Sequence, residues 1–491
     1  MEPLLDYRLP LAVLAPLVGA GMVMATGKKP NLREACSLVA ALAMFLITAS
    51  LLPAIMDGRT LVFPLFKLLP GLSITLRADA MSMVFALAAS FLWVLAVFYS
   101  AGYMRGLKEH EQTRFNTCFA LALFGAIGCA FADNLLTLFL FYEIVSVVTY
   151  PLVAHHQDGE SYEGAKKYMV YLTTPAKGLV LPAMVLIYVL TGSLDFANNV
   201  HTGILPAIAN HWVVTGLYIC CILGFAKNAV MPLHSWLPSA MVAPTPVSAL
   251  LHAVAVVKVG VFSTTRVMLY VFGVDTMHAL NLGIPTAYFV GITIIVASII
   301  ALSKDNLKAR LAYSTVSQLS YIILGVALLT PTAIEGGLIH IAIHAFSKIT
   351  LFFCAGAIYV VTHKKDISQM SGLGRAMPWT FGAFGLAALS MIGVPPTGGF
   401  ISKLYLLVGS MDAGAIGIMV ILIVSTILNA AYFAPVVYQG FFGKMSAEDE
   451  RHHYGEAPLA MLIPLCLTAA ISVVLGLYPN LLLDLVQIVT R

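Results

Sequence analysis

The sequence predicts an all-α polytopic membrane protein, and three observations carry this prediction. Of the 491 residues, 60% are hydrophobic and only 10% are charged, whereas soluble domains carry about 25% charged residues. The mean hydropathy is +0.91, which excludes a disordered chain. Apolar stretches of about 20 residues, the length that crosses a bilayer, recur from end to end. The net charge of +4 excludes the strongly basic surface of a nucleic-acid binder.

Fourteen membrane spans are predicted, an even number that places both termini on one side of the membrane. Cytoplasmic loops are enriched in Lys and Arg. With both termini outside, sixteen Lys and Arg residues fall in the inner loops and six, Arg266 among them, on the outer side. This split predicts that both termini lie outside. No loop is long enough to hold a catalytic domain. The spans are near 9–26, 33–53, 78–102, 116–132, 134–154, 165–192, 211–231, 243–271, 283–302, 308–329, 333–361, 378–409, 413–441 and 457–482.

Six ionisable residues lie inside these spans, where charge is expensive. Each costs about 2.5–3.5 kcal/mol at the bilayer centre, so together they cost on the order of 15–20 kcal/mol, more than the net stability of a typical domain. Some can be structural, because a lysine near a span end extends its amine to the headgroups. That alternative applies most to Lys177 and Lys403. The six are Glu143, Lys177, Lys227, Lys258, Lys348 and Lys403.

A buried lysine is chemically useful because burial disfavours its charged form and a nearby carboxylate restores it. In a medium of low dielectric constant, charging one site also shifts its neighbours. A row of lysines with one glutamate therefore predicts a proton relay in which Glu143 is the paired anion.

Histidines extend this row. His340, His344 and Lys348 are spaced four residues apart and share one helix face, whereas His252 lies six residues before Lys258 and needs water between the two side chains. Histidines four residues apart can chelate zinc, but no third ligand lies nearby in sequence. Hydrogen-bonded packing is the other alternative, and the relay is favoured.

No metal site and no cofactor are predicted. The seven cysteines are scattered without a C-x-x-C pair, so neither a zinc site nor an iron–sulfur cluster is indicated. We interpret these cysteines as small packing residues.

Two helices are predicted to be broken at membrane depth. Pro232 follows Lys227 by five residues, and the segment Gly-Val-Pro-Pro-Thr-Gly-Gly (393–399) precedes Lys403. Irregular backbone at this depth is tolerated where it lines a wet cavity or is buried in protein. Paired breaks in two halves of a chain are typical of inverted-repeat transporters, with a simple packing kink as the alternative.

Four segments, 227–253, 306–319, 344–348 and 393–403, resemble the antiporter-like membrane subunits of respiratory complex I (NADH:quinone oxidoreductase), membrane-bound hydrogenases and Mrp-type Na⁺/H⁺ antiporters. The resemblance covers roughly residues 75–440 and is greatest to the D-type Mrp subunit. Chains of the largest complex I type carry a long lateral helix after the fourteenth span. This sequence stops at Arg491, so that type is not expected.

The resemblance implies about fourteen helices with two inverted five-helix repeats, each containing a broken helix. Residues 1–115 would hold helices 1–3, and residues 442–491 a loop and helix 14. The repeats would comprise residues 116–275 (helices 4–8) and 276–441 (helices 9–13).

The resemblance also implies residue roles. Glu143 falls on the family's essential glutamate of the fifth helix, and Lys227 on its paired lysine in the broken seventh helix. Lys258 falls on the central connection, and Lys403 on the terminal residue of the broken twelfth helix. Lys177 has no counterpart in the pattern. The hydrophilic axis between these positions would include His252, His340, His344 and Lys348.

The predicted function is a proton-translocating subunit of a larger complex in a bacterial or archaeal cytoplasmic membrane. Its partners would be lipid, H⁺ and the membrane subunits of an Mrp, hydrogenase or complex I-like assembly. Since no phosphate-binding loop or redox centre is visible, a gradient or a partner must supply the energy. The alternatives are a D-type Mrp subunit that exchanges Na⁺ for H⁺, a relative that powers bicarbonate accumulation, a non-transporting anchor and a solute symporter.

Overall fold

The computed structural model describes residues 4–206 and 210–491, except for the side chains of His252 and Glu448. Within these ranges, eleven helices are long and apolar enough to cross a membrane. The multi-pass helical fold is therefore confirmed, while the count of fourteen spans and the inverted repeats stay predictions.

The long helices of the first half are α1 (Arg8–Ala25), α2 (Pro30–Met56), α3 (Ala80–Gly106), α4 (Gln112–Ala130), α5 (Leu135–Val153), α6 (Gly159–Thr191), α7 (His211–Gly224) and α8 (Thr245–Phe272). Those of the second half are α9 (Gly283–Ser303), α10 (Leu307–Ala327), α11 (Pro331–Thr362), α12 (Pro378–Ile392), α13 (Gly398–Asp412), α14 (Ile416–Phe442), α15 (Leu459–Leu477) and α16 (Asn480–Thr490). Short helical turns cover Ala226–Asn228, Trp236–Ser239, Ala240–Val242, Val274–Ala279, Ile367–Gln369, Leu373–Ala376 and Ala447–His452.

A small sheet, which the all-α prediction did not include, covers one end of the bundle. It consists of β1 (Leu4–Leu5), β2 (Leu61–Leu69) and β3 (Leu72–Ala78). β1 is parallel to β2, and β2 is antiparallel to β3. The turn between β2 and β3 requires Gly71, because its φ is +72° and a Cβ there would lie 2.0 Å from the carbonyl oxygen of Gly192.

Helices α8 and α11 form the centre of the bundle, and both are buried along the whole of their apolar length. The peripheral helices α1 and α2 instead expose large apolar side chains, such as Leu11 and Leu46. Since α8 carries Lys258 and α11 carries His340, His344 and Lys348, the polar residues of these two helices lie far from the lipid-facing perimeter.

Both predicted helix breaks are present. Helix α7 ends at Gly224 and is followed by the turn Ala226–Asn228, and Pro232 beyond it cannot continue a helix. The second break separates α12 from α13, where Gly393 has a φ of +92°.

The assignment of Arg266 to an outer loop is wrong. Arg266 lies within α8 and is fully buried, with Nη1 2.7 Å from Oδ2 of Asp79. Asp79 is buried as well. Apolar periodicity gave no sign of this partner from a distant helix, although buried charges are generally paired.

Candidate functional site

Lys227 lies in the turn Ala226–Asn228, where the helical path breaks after α7, and its side chain is fully buried. Its Nζ donates to the carbonyl oxygen of Tyr142 at 2.8 Å and to Oγ of Ser146 at 2.6 Å. It also lies 3.1 Å from the centroid of the Tyr142 ring. The amine is thus held entirely by neutral groups of α5.

A glycine brings this turn against the central helix α8. A Cβ added at Gly260 would lie 2.2 Å from the carbonyl carbon of Lys227 and 2.3 Å from the backbone nitrogen of Asn228. Because Gly260 lies two residues after Lys258, the backbone that carries Lys258 packs directly on the backbone that carries Lys227.

Glu143 lies on α5 between the two residues that hold Lys227, yet its ion-pair partner among the described residues is Lys177. The Lys177 Nζ lies 3.7 Å from Oε2 of Glu143, while Oε1 is buried and has no hydrogen-bond partner within the described part of the chain. Lys177 projects from a π-helical turn of α6 that follows Pro175, and its side chain is 63% exposed. Lys177, which has no counterpart in the family pattern, is therefore the direct ion-pair partner of Glu143.

Lys258 contacts the histidine row on α11. Its Nζ lies 2.8 Å from Nδ1 of His344, and both side chains are buried. The His344 and His340 ring centroids are 5.8 Å apart, and Nε2 of His344 has no hydrogen-bond partner among the side chains and backbone that the structure describes. A lysine amine at one imidazole disfavours a second cation there, so the arrangement does not support the zinc alternative.

His340 connects α11 to α10 and α13. Its Nε2 lies 3.0 Å from Oε1 of Gln318, and its Nδ1 lies 2.8 Å from Oγ of Ser402. Oε1 of Gln318 only accepts, so the proton of a neutral His340 is on Nε2, and Nδ1 accepts from the Ser402 hydroxyl.

Lys403 completes the row at the second helix break. Its Nζ donates to the carbonyl oxygens of Met391 and Ile392, at 2.9 and 2.8 Å. With the Asn429 amide oriented to satisfy its neighbours, its oxygen accepts from Lys403 Nζ and from Nε2 of Gln318, both at 2.9 Å. Gln318 therefore joins His340 to Asn429, and Asn429 joins Gln318 to Lys403.

Lys348 stands beside this row. It is fully buried, and its Nζ donates to Oγ of Ser314 at 2.5 Å and to the carbonyl oxygen of Leu311 at 3.4 Å. His252 belongs to the predicted site, but its side chain lies outside the part that the structure describes.

A cavity of about 410 Å³ opens at the end of the bundle opposite the sheet and reaches Thr245, where α8 begins. Lys258 lies thirteen residues further along α8, or about 20 Å at 1.5 Å per residue. Polar and charged side chains line the opening, among them Glu109, His156, Asp158, Lys308, Lys364 and Lys365.

The structure thus assembles the predicted residues into two groups. The Lys227 amine is hydrogen-bonded to α5, the helix that carries Glu143, while Lys258, His344, His340 and Lys403 form a polar row through the centre. Sequence reasoning missed the neutral residues that hydrogen-bond to these side chains and to Lys348. Their polar side chains inside apolar spans were the available signal, and they are Ser146, Ser314, Gln318, Ser402 and Asn429.

Comparison with known proteins identifies relatives across most of the chain. Residues 132–429 match the transmembrane family described as NADH:quinone oxidoreductase/Mrp antiporter. NADH-quinone oxidoreductase subunit N of Desulforudis audaxviator is 33% identical over 83% of this chain and 83% of its own length. The Na⁺/H⁺ antiporter subunit A1 of Staphylococcus haemolyticus is 31% identical over 89% of this chain and 57% of its own. The greater similarity to the D-type Mrp subunit stays a prediction.

A solved structure has the same fold. A chain of the Mrp complex from Dietzia sp. DQ12-45-1b superposes with a TM-score of 0.87 over 98% of this chain and 96% of its own, at 23% identity. At this identity the likeness concerns the fold.

Proposed function

Because the chain belongs to the NADH:quinone oxidoreductase/Mrp antiporter transmembrane family, we propose that it is a proton-translocating, antiporter-like subunit of a multisubunit membrane complex. In this proposal residues 116–275 and 276–441 are the two inverted repeats, and protons move through a relay of buried Lys, Glu and His side chains.

One observation carries the proposal: buried polar groups from five helices (α8, α10, α11, α13 and α14) meet at hydrogen-bond distance. The contacts run from Lys258 to His344, and from His340 through Gln318 and Asn429 to Lys403. Buried amines without carboxylates are costly in lipid, and neutral imidazoles and amides pass or orient protons without adding charge. A merely structural role does not require such a row.

The step between His344 and His340 supports a wet pathway. Their rings are adjacent, but Nε2 of His344 has no partner among the described protein groups. A buried polar atom of this kind usually binds an ordered water. In the proposal, a water between the two imidazoles completes the path that a proton follows.

The first group would set the charge of Lys227. Glu143 lies on the helix that holds the amine, and Lys177 competes for the same carboxylate. Movement of the carboxylate toward Lys227 would favour its protonated form, and movement toward Lys177 would release that proton. The relay therefore would have an electrostatic switch in its first half.

In this proposal the complex lies in a bacterial or archaeal cytoplasmic membrane, and both termini and the sheet face outward. The exposed apolar side chains of α1 and α2 contact lipid or neighbouring membrane subunits. Gentle solubilisation followed by mass spectrometry of the complex tests this arrangement. Co-purification of hydrogenase, quinone-reductase or small antiporter subunits would name the assembly, whereas a chain that purifies alone contradicts it.

The transport role is tested by Glu143→Gln in the native complex, reconstituted into vesicles that contain a pH-sensitive dye. We expect proton flux to fall about 100-fold, the scale of a positioned proton-transfer group. Glu163→Gln, at an exposed position of α6, is the matched control and leaves flux unchanged. Full flux in the Glu143 variant would indicate the non-transporting anchor.

Na⁺/H⁺ exchange is the second candidate function, favoured by the Na⁺/H⁺ antiporter relative. Sodium prefers several oxygen ligands, and Glu143 is the one carboxylate near the described relay. We therefore expect any sodium path to involve a companion subunit. Uptake of ²²Na⁺ driven by a pH gradient, lost in Lys227→Met, would favour exchange over proton translocation alone.

A further inference from the structure

Two loops at the end of the bundle opposite the sheet place three histidines around one carboxylate. Oε2 of Glu109, which follows α3, lies 3.8 Å from Nε2 of His155, 3.6 Å from Nδ1 of His156 and 3.9 Å from Nδ1 of His110. One ligand atom from each of Glu109, His110 and His155 lies within 4.8 Å of the others.

His155 points to a ligand rather than to packing. Its side chain is fully buried, yet neither Nδ1 nor Nε2 has a hydrogen-bond partner among the described residues. Buried imidazole nitrogens are normally satisfied. Nε2 of His155 faces the Glu109 carboxylate, so this nitrogen is directed into the centre of the cluster.

We propose that Glu109, His110, His155 and His156 form a binding site for a divalent transition-metal ion, with Zn²⁺ as the best-fitting class. Imidazole and carboxylate are ordinary zinc ligands at about 2.0–2.2 Å, and structural sites take four of them in a tetrahedron. Ligand atoms around such an ion lie about 3.3–3.5 Å apart, whereas those of Glu109, His110 and His155 lie within 4.8 Å of one another, so the side chains would draw together around the ion.

The surroundings hold the His155 loop in place and leave both ring nitrogens without a hydrogen-bond partner among the described residues. Arg114 donates to the backbone carbonyl of His155 at 3.0 Å, which fixes the loop after α5 without occupying a ring nitrogen. The ion would connect the α3–α4 loop to the α5–α6 loop at the rim of the cavity near Thr245.

The test measures Zn²⁺ binding to the metal-free full-length chain in its native complex, by competition with a fluorescent chelator. We expect one equivalent per chain, weakened at least tenfold in His110→Gln, since loss even of an outer-shell partner costs 10–100-fold. His110 is about half exposed, so this variant folds. His155→Gln gives the same loss if the buried ring is a ligand.

His453→Gln, at an exposed histidine of the same end of the bundle, is the matched control and retains binding. X-ray absorption of the loaded complex is expected to show a first shell of nitrogen and oxygen atoms alone. Equal affinity of the wild type, the His110 variant and the His155 variant, or absence of a stoichiometric site, overturns the proposal. Proton flux does not enter these readouts, so the result is independent of the proposed function.

Discussion

The two lysines at the broken helices, Lys227 and Lys403, have similar immediate surroundings and different wider ones. Lys227 donates to one backbone carbonyl and Lys403 to two, and each amine also donates to one neutral side-chain oxygen. Only Lys227 is held by a helix that also carries a carboxylate, Glu143. Lys403 instead ends a row of neutral amides and imidazoles. The difference teaches that, in the proposed relay, a moving charge would switch the first amine, whereas the second would depend on the proton supplied along the row.

The largest expected effect is at Lys227. In Lys227→Met, we expect proton flux in vesicles to fall about 100-fold, because the switched amine and its positioned proton are lost together. Lys67→Met, on the exposed strand β2, is the control. If Lys403→Met instead reduced flux much more than Lys227→Met, the proposed contrast between the two sites would be reversed.

The contact between Lys258 and His344 gives the next effect. Lys258→Met and His344→Gln should each slow flux about tenfold, and the double variant should be no slower than the worse single one. Residues that act as one unit are not additive. Simple multiplication of the two losses would show that the proton does not pass through this contact.

A smaller loss is expected where a neutral residue connects two partners. Asn429→Leu removes the amide between Gln318 and Lys403 and leaves the buried Lys403 amine with one hydrogen-bond partner fewer. We expect proton flux to fall about tenfold at most. Thr426→Val on the same helix is the control, since the Thr426 hydroxyl donates to the Leu422 carbonyl within α14. Equal flux in both variants would remove Asn429 from the path.

The burial of these amines could be anticipated from sequence, whereas their partners could not. Lys227, Lys258 and Lys348 have apolar neighbours on both sides, and all three are fully buried. The contact of Lys177 with Glu143 was not foreseen, because a π-helical turn after Pro175 changes the face on which Lys177 lies. Spacing along one helix predicts which residues share a face; it gives no information on contacts between helices.

The same limit applies outside the central row. The sheet was missed because Leu61–Leu69 lacks the alternation of a half-buried strand and reads as one more apolar segment. The cluster of Glu109, His110 and His155 was not foreseen, because Glu109 and His155 are separated by 46 positions and the fold of the loops brings them together. The roles of the predicted site residues themselves stay predictions.

The smallest effect is expected at Lys177. Because its side chain is mostly exposed, the ion pair with Glu143 is worth little, and Lys177→Met should change flux roughly twofold. Removal of the Lys177 amine leaves Lys227 as the cation that can pair with Glu143. The flux measured with a limiting gradient should therefore depend less on ionic strength than in the wild type. A collapse of flux equal to that of Glu143→Gln would mean that Lys177, and not Lys227, is the functional partner.

The contact at Gly260 has a mechanical consequence. With the backbone at Lys227 packed on Gly260, the peptide cannot move closer to α8. Side-chain rotation and water reorientation are the motions open to the amine without a shift of the backbone, and these belong to a much faster regime than the microsecond-to-millisecond movement of whole domains. Any slow step in turnover would accordingly arise elsewhere, in the opening of the mouth of the cavity or in a neighbouring subunit.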